Sequence, residues 1–393
     1  MSQDLSAFRR EARDWLAASF PATLAADPAL QAVDVHGPPN THPDHVAWKR
    51  RMGEKGWGVP TWPRAYGGGG LSRAEAAVLA EEMARIGAAN PIAGMSVSLL
   101  GPTLLEFGDE AQKRRHLPPA ARGETRWCQG YSEPGAGSDL AALQCRAEDH
   151  GDHFRVTGQK LWTSGAHYAD GCFCLVRTDT TRKHEGVSFL LIDMRAPGVE
   201  ARPIPLIYGG STFCEVFFTD VAVPKENLVG PLNGGWTIAK RLLQFERTGI
   251  GGARERGDAP SLAERARAYG GAAVDGRLLD GDLRARISAH DIDARALDLT
   301  LERLRAEARA GQAGPAADSV LKNAAAAVSA ERRELLIEIL GGQGLGWDGD
   351  AYRSDELAIV RDWLADKARS IYGGTTEIQN NVIAKRILGL PAA

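Results

Sequence analysis

Gly130-Tyr131-Ser132-Glu133-Pro134-Gly135-Ala136-Gly137-Ser138-Asp139-Leu140 is the stretch whose residue types point most directly to chemistry. Pro134 removes a backbone donor, and Gly135 and Gly137 supply permissive backbone. Ser132, Ser138 and Asp139 bring polar groups that bond the nearby main chain or a ligand. A loop of this kind holds backbone N–H groups and hydroxyls against something flat and polar. Taken alone it also reads as a surface turn. It is not a nucleophile elbow, because Gly130-Tyr131-Ser132-Glu133-Pro134 lacks the second glycine. His42 and His45 have a spacing compatible with metal ligation, but Pro43 and the absence of other ligands read as a solvated loop. The five cysteines, Cys128, Cys145, Cys172, Cys174 and Cys214, are odd in number and lack zinc-site spacing. They read as reduced thiols.

The composition sets wide bounds. The chain has 393 residues, 44% hydrophobic and 25% charged, with room for two or three domains. A formal charge of -3 carries no basic excess, so no nucleic-acid or anionic-membrane surface is expected. The start Met1-Ser2-Gln3-Asp4 has no basic n-region followed by an apolar stretch, and no apolar run is long enough for membrane insertion. A cytoplasmic setting is expected.

Positioning the loop requires the elements around it. Leu5, Phe8, Ala12, Trp15 and Leu16 recur at helical spacing up to Pro21. Residues 22–43 read as a loop. Trp48 and Met52 mark a short helix running to Gly56. Trp57 and Trp62, in a segment rich in Gly and Pro, predict a rigid turn whose aromatics pack. Ser72 is placed to cap a helix over 73–86, with Ala76, Leu79, Ala80, Met83 and Ile86 on one face. Further helices are expected over 94–107 and from Asp109 to Pro118. From Arg126 the pattern becomes β-rich. Phe154–Trp162 alternates and is read as turning at Gly158; Gly171–Val176, Val187–Ile192 and Cys214–Thr219 read as short strands of an antiparallel sheet or barrel. Cys172 and Cys174 fall on one strand face. Beyond Trp236 the chain is helical again: Leu242, Leu243 and Phe245 start a helix, with Gly249, Gly251 and Gly252 within it or ending it. Bundle helices are expected over 282–311 and 316–340, then on either side of Tyr372-Gly373-Gly374-Thr375.

With Gly158-Gln159-Lys160-Leu161-Trp162-Thr163-Ser164 following Tyr131–Leu140, the sequence resembles the acyl-CoA dehydrogenase family. Trp62-Pro63-Arg64-Ala65-Tyr66-Gly67-Gly68 is similar to the family's early Trp-Pro turn. Glu215–Pro224 is similar to the close of its β domain. Gly341-Gly342-Gln343-Gly344 and Ile371–Gln379 are similar to its C-terminal signatures. Each motif alone is weak; five in the right order are specific. The resemblance implies an α+β fold: an N-terminal helical domain over 1–124, a middle antiparallel β-barrel or sheet domain over 125–231, and a C-terminal four-helix bundle over 232–393. It also implies FAD, an acyl-CoA substrate, and electron-transfer flavoprotein as acceptor.

The site residues follow from the same resemblance. Tyr131, Ser132, Gly137 and Ser138 line the flavin, Trp162 packs beside the isoalloxazine, and Ser164 offers a hydroxyl near N5. Ser138 also faces substrate. Many family members carry the catalytic Glu directly after the Ile-Tyr pair, where this chain has Gly373. A minority carry it in a Glu-Arg pair on the first C-terminal helix, where this chain has Glu246-Arg247. Glu246 is therefore the implied base, and Arg247 its support and a substrate contact. The Gly373 backbone N–H is left to bind the thioester carbonyl. The missing side chain at 373 leads to an expectation of a branched, bulky or functionalised acyl chain. Gly341, Gly342, Thr375 and Glu377 are implied contacts to a neighbouring subunit's FAD, although Gly-Gly after an apolar helix is also a plain C-cap. Gly342-x-Gly344 is not a Rossmann fingerprint, since no βαβ unit surrounds it. The family's Arg-x-Gln-Phe-Gly stretch is absent from the region 260–285, and Glu338 stands where a Gln is common. These departures resemble two-gene members such as pimeloyl-CoA and steroid-side-chain dehydrogenases, so either a homotetramer or a heterotetramer with a paralogous subunit is expected. Two other readings keep the fold: an oxygen-reacting monooxygenase or nitroalkane-oxidase relative, and a non-catalytic subunit of a heteromeric dehydrogenase.

Overall fold

The computed structural model describes residues 5–250, 260–309 and 317–391; the side chains of 246–250, 305, 308, 309 and 317 lie outside the described residues. The chain forms two compact units, Met1–Ile204 with Ser211–Leu242, and Pro205–Gly210 with Leu243–Ala393.

The first unit begins with helices α1 (Ser6–Ser19), α2 (Ala22–Ala26), α3 (Pro43–Lys55), α4 (Arg73–Arg85), α5 (Gly101–Phe107) and α6 (Glu110–Ala121). Their core gathers Ala12, Leu16, Leu24, Trp48, Met52, Trp57, Leu79 and Met83. Capping fixes several boundaries. Ser72 with Glu75, and Asp109 with Gln112, form reciprocal capping boxes at the starts of α4 and α6. Gly56 ends α3 in the left-handed conformation.

The local expectations need four corrections here. Residues 22–43 are not plain loop, because α2 and a 3-10 turn over Pro28–Gln31 lie within them. His45 is buried on α3 and not in a solvated loop, since Pro43 starts that helix and the His42 ring accepts from Asp44 N at 3.3 Å. The buried face of α4 is Val78, Leu79, Glu82 and Met83, while Ala80 is exposed. Helix α6 does not stop at Pro118: Pro118 and Pro119 lie inside its last turn and it ends at Ala121, each proline forgoing one N–H bond to the preceding turn.

Eight strands follow: β1 (Trp127–Gly130), β2 (Arg146–Asp149), β3 (His153–Ser164), β4 (Gly171–Arg177), β5 (Val187–Asp193), β6 (Val199–Pro203), β7 (Phe213–Pro224) and β8 (Leu228–Val229). Their linear order is β6-β7-β3-β2-β4-β5-β8, with β1 beside β4. The sheet is mixed, not purely antiparallel: β1 and β2 each pair with β4 in parallel. Every residue of β4 is buried, as suits a central strand. Gly158 is no turn. Strand β3 runs through it with a register shift between Val156 and Gly158, and a Cβ there would lie 2.6 Å from Cys145 Cα. Cys128, Cys145, Cys172, Cys174 and Cys214 are all free and buried in this sheet's core. Gln112 of α6 donates to the carbonyls of Glu226 and Leu228 at 2.8 Å each, tying the helices to the end of the sheet.

The division between the units falls within α7 (Gly235–Ile250), which starts earlier than Leu242. Gly251 and Gly252 lie outside the described residues. The second unit holds α8 (Leu262–Gly270), α9 (Gly281–Arg309), α10 (Ala317–Leu340), α11 (Ser354–Asp366) and α12 (Thr376–Arg386). Helix α10 touches each of the other four. Leu262, Ala266, Ile287, Leu335, Leu336, Ile339 and Ile359 form the core. No helix among the described residues is long and apolar enough to cross a membrane.

Candidate functional site

In the first unit the loop after β1 is held by buried charge. Glu133 and Ala136 exchange backbone hydrogen bonds at 2.9 and 3.0 Å, which puts Pro134-Gly135 at a tight corner. The Glu133 carboxylate accepts from the backbone N–H groups of Gln144 (2.6 Å) and Cys145 (3.0 Å) and from Lys160 Nζ (2.7 Å). Lys160 is fully buried and also donates to the Tyr131 carbonyl at 3.2 Å. Burial works against its charge, and the acidic groups around it, Cys174, Cys145 and Glu133, outweigh that and hold the ammonium above its ordinary range. Farther along, the buried Arg177 guanidinium donates to the carbonyls of Ala141, Leu143, Arg182 and Lys183. Both ends of the loop are thus fixed to β3 and β4.

The predicted cofactor residues of this unit divide by exposure. The Tyr131 ring is buried edge-on to Phe173 and Phe189, so its side chain belongs to the core. The Ser132 carbonyl accepts from Leu161 N–H at 2.8 Å, which joins loop to strand. Gly137 and Ser138 are exposed, and a Cβ at Gly137 would meet nothing. Trp162 is 53% exposed and is not a core tryptophan. Its φ of 61° is a left-handed value that a bulky residue adopts only under constraint. The constraint is a second register shift in β3, between Lys160 and Thr163. Lys160 and Thr163 both point inward there, which turns the Trp162 indole outward against the edge of Phe213. Ser164 is half-buried at the end of the same strand.

In the second unit, Gly341 and Gly342 are exposed and continue α10 into a 3-10 turn. Glu338 makes a two-pronged ion pair with Arg286 at 2.8 and 2.6 Å. Thr375 caps α12, its hydroxyl accepting from Ile378 N at 3.2 Å. The exposed Glu377 sits in the first turn, where its own backbone N–H and the Thr375 hydroxyl hold its carboxyl below the ordinary range. Gly373 and Gly374 both have positive φ, 66° and 92°. Among the described residues the Gly373 N–H donates to no backbone carbonyl. Positions 246 and 247 are helical within α7, but the side chains of Glu246 and Arg247 lie outside the described residues.

Glu133, Lys160, Arg177 and Gln379 were not singled out from the sequence. Lys160 carried a usable signal. It shares strand parity with the buried Phe154 and Val156, and a charge at an inward position needs a buried partner. The serine hydroxyls and fixed main chain beside an outward-facing indole fit a flat ring with polar edges. Among the described residues no group of His, Cys, Asp and Glu is arranged to hold a metal ion.

Three family profiles match consecutive segments: "Acyl-CoA dehydrogenase, N-terminal domain" over residues 2–124, the middle domain over 128–221 and the C-terminal domain over 233–388. The chain therefore belongs to the acyl-CoA dehydrogenase family, a group of oxidoreductases that use a flavin cofactor and acyl-CoA substrates. It is 38% identical over 405 residues to acyl-CoA dehydrogenase IpdE1 of Mycobacterium tuberculosis, covering 99% of this chain and 98% of that protein. The mitochondrial short-chain specific acyl-CoA dehydrogenase of Rattus norvegicus is 31% identical over 355 residues, covering 86% and 82%. Among solved structures, the Tcur3481-Tcur3483 steroid ACAD superposes with a TM-score of 0.76 at 29% identity, covering 100% of this chain and 99% of that one.

Proposed function

We propose that this chain is a catalytic subunit that binds FAD and removes hydrogens from the α and β carbons of a bulky or functionalised acyl-CoA, giving the trans-2-enoyl thioester. Trp162, strained and outward-facing beside a loop fixed by buried charge, is the observation that carries the reading. Bound flavin would supply the hydride acceptor. Ser132, Gly137, Ser138 and Ser164 would hold its ring through hydroxyl and main-chain groups, with the Trp162 indole beside it. The α proton is only weakly acidic, so the thioester carbonyl must be polarised as its charge develops. The Gly373 N–H is assigned that task. Glu246 is assigned as the base that takes the α proton, with Arg247 ordering it; exclusion of water by substrate would raise the carboxyl toward a useful basicity. Gly341, Gly342, Thr375 and Glu377 are assigned to the dinucleotide end of a neighbouring subunit's FAD.

The absence of a side chain at 373 supports a wide acyl pocket, as does similarity to a protein described as a steroid ACAD. That similarity and the absent Arg-x-Gln-Phe-Gly stretch support assembly with a paralogous subunit. Electron-transfer flavoprotein is the proposed acceptor. The test is anaerobic flavin bleaching with straight-chain, branched, dicarboxylic and steroid-side-chain thioesters, run on the chain alone and on the chain coexpressed with a paralogue. Bleaching fastest with a bulky thioester, in the mixed assembly, is expected. Preference for short straight chains would overturn the substrate assignment. Full flavin and activity in the chain alone would overturn the mixed assembly. Rapid re-oxidation by oxygen would point instead to an oxidase.

A further inference from the structure

The loop Tyr372-Gly373-Gly374-Thr375 has little stiffness of its own. Two successive glycines at positive φ give the chain its widest conformational freedom where a catalytic donor needs its narrowest. The rigidity must come from neighbours within the second unit, and two buried side chains supply it. On the entering side, Lys322 of α10, only 1% exposed, donates to the Ser370 carbonyl at 3.2 Å. The N–H groups of Ile371 and Tyr372 both turn back to the Ala368 carbonyl, at 2.9 and 3.0 Å. On the leaving side, Gln379 of α12, 2% exposed, donates from Nε2 to the Gly373 carbonyl at 2.7 Å. The acceptor is a carbonyl, so only the amide nitrogen can face it. Among the described residues Gln379 Oε1 is buried without a partner, which leaves the Gly373 bond to orient the amide. Gly374 makes room for this contact: a Cβ on it would overlap Gln379 Nε2.

We propose that Gln379 is a positioning residue, which holds the Gly373 carbonyl and thereby fixes the Gly373 backbone so that its N–H meets the thioester oxygen. Its catalytic consequence rests on the dehydrogenase reading above; the clamp itself does not. Gln379 has no contact with substrate in this assignment and acts through the main chain. Removing the donor frees the two glycines, and the polarising N–H is then aligned only part of the time. That loss falls on the transition state, where the oxygen carries most charge, and little on ground-state binding.

The test uses the flavin-loaded, assembled enzyme with Gln379→Met, which keeps the length and removes the donor. Amide hydrogen exchange over 371–375 is expected to quicken about tenfold or more while α10 and α11 keep their protection. Flavin reduction at saturating thioester is expected to slow about tenfold or more with the thioester Kd nearly unchanged. Gln379→Glu gives a second reading. Protonated, it donates to the same carbonyl; ionised, it cannot. Its reduction rate relative to the unaltered enzyme should therefore rise as pH falls. Unchanged exchange over 371–375, reduction at the unaltered rate in Gln379→Met, or a Gln379→Glu pH profile parallel to that of the unaltered enzyme would each overturn the proposal. If no thioester bleaches the unaltered enzyme while Gln379→Met still loosens 371–375, the dehydrogenase reading fails and the clamp stands.

Discussion

Lys160 and Glu133 form an ion pair buried on both sides, and it holds the loop after β1 against β3. Breaking such a pair on one side leaves a buried charge without its partner, which typically destabilises by about 3–5 kcal/mol. Lys160→Met should therefore lower stability by about that amount in denaturant unfolding, and Lys160→Met with Glu133→Gln should be less damaging than the single change. A double variant no better than the single one would mean that the ion pair does not carry the effect. The residues of this region were legible to different depths. The resemblance led to the expectation that Trp162 packs beside a flavin ring; its exposure and its φ of 61° follow from how β3 pairs with β7, which no local spacing encodes. Glu133 lay in full view inside the loop, yet its role depends on Lys160, 27 residues away. Gln379 closed a signature stretch with no role of its own, because its partner is a carbonyl, and a backbone acceptor leaves no trace in side-chain patterning.

Among the elements, α1, α4 and α6 carry the clearest pH dependence. The Glu82 carboxylate of α4 is buried and accepts from Arg13 (2.8 Å), Arg85 (2.8 Å) and Arg9 (2.7 Å). These bonds hold its carboxyl at about 2, below the ordinary 4.5. Burial pushes His116 of α6 from 6.5 down to about 4, with Arg115 adding to the shift, and its ring stands edge-on to Trp127. Both groups bind a proton more readily when unfolded, so both lose stability on the acid side. The His116 contribution is present above about 6.5 and falls away as pH drops to about 4. The Glu82 contribution is present above about 4.5 and falls away toward 2. In urea unfolding over a pH series, His116→Phe should flatten the limb between about 6.5 and 4 and leave the lower one in place. An unchanged upper limb would assign that loss to other groups. Helix existence was legible from period and caps, as with Ser72 and Asp109. Facing was not: Glu82 points inward only because three arginines meet it there.

Across the whole molecule, the succession of helices, strands and helices was legible because each has its own hydrophobic period. The parallel pairing of β1 with β4 was not, since it joins segments about 40 residues apart and is set by packing around a fully buried strand. The division of the chain at 1–124, 125–231 and 232–393 remains our proposal, alongside the two compact units. The central claim is that a relocated carboxylate, Glu246, takes the α proton, because Gly373 leaves only a backbone donor at the more usual position. The most direct measurement is rapid anaerobic mixing of Glu246→Gln and the unaltered enzyme with a thioester that bleaches the latter. Flavin content should be equal in both, and flavin reduction in Glu246→Gln should be slower by at least about a hundredfold. Equal rates of reduction would contradict the assignment and move the base elsewhere.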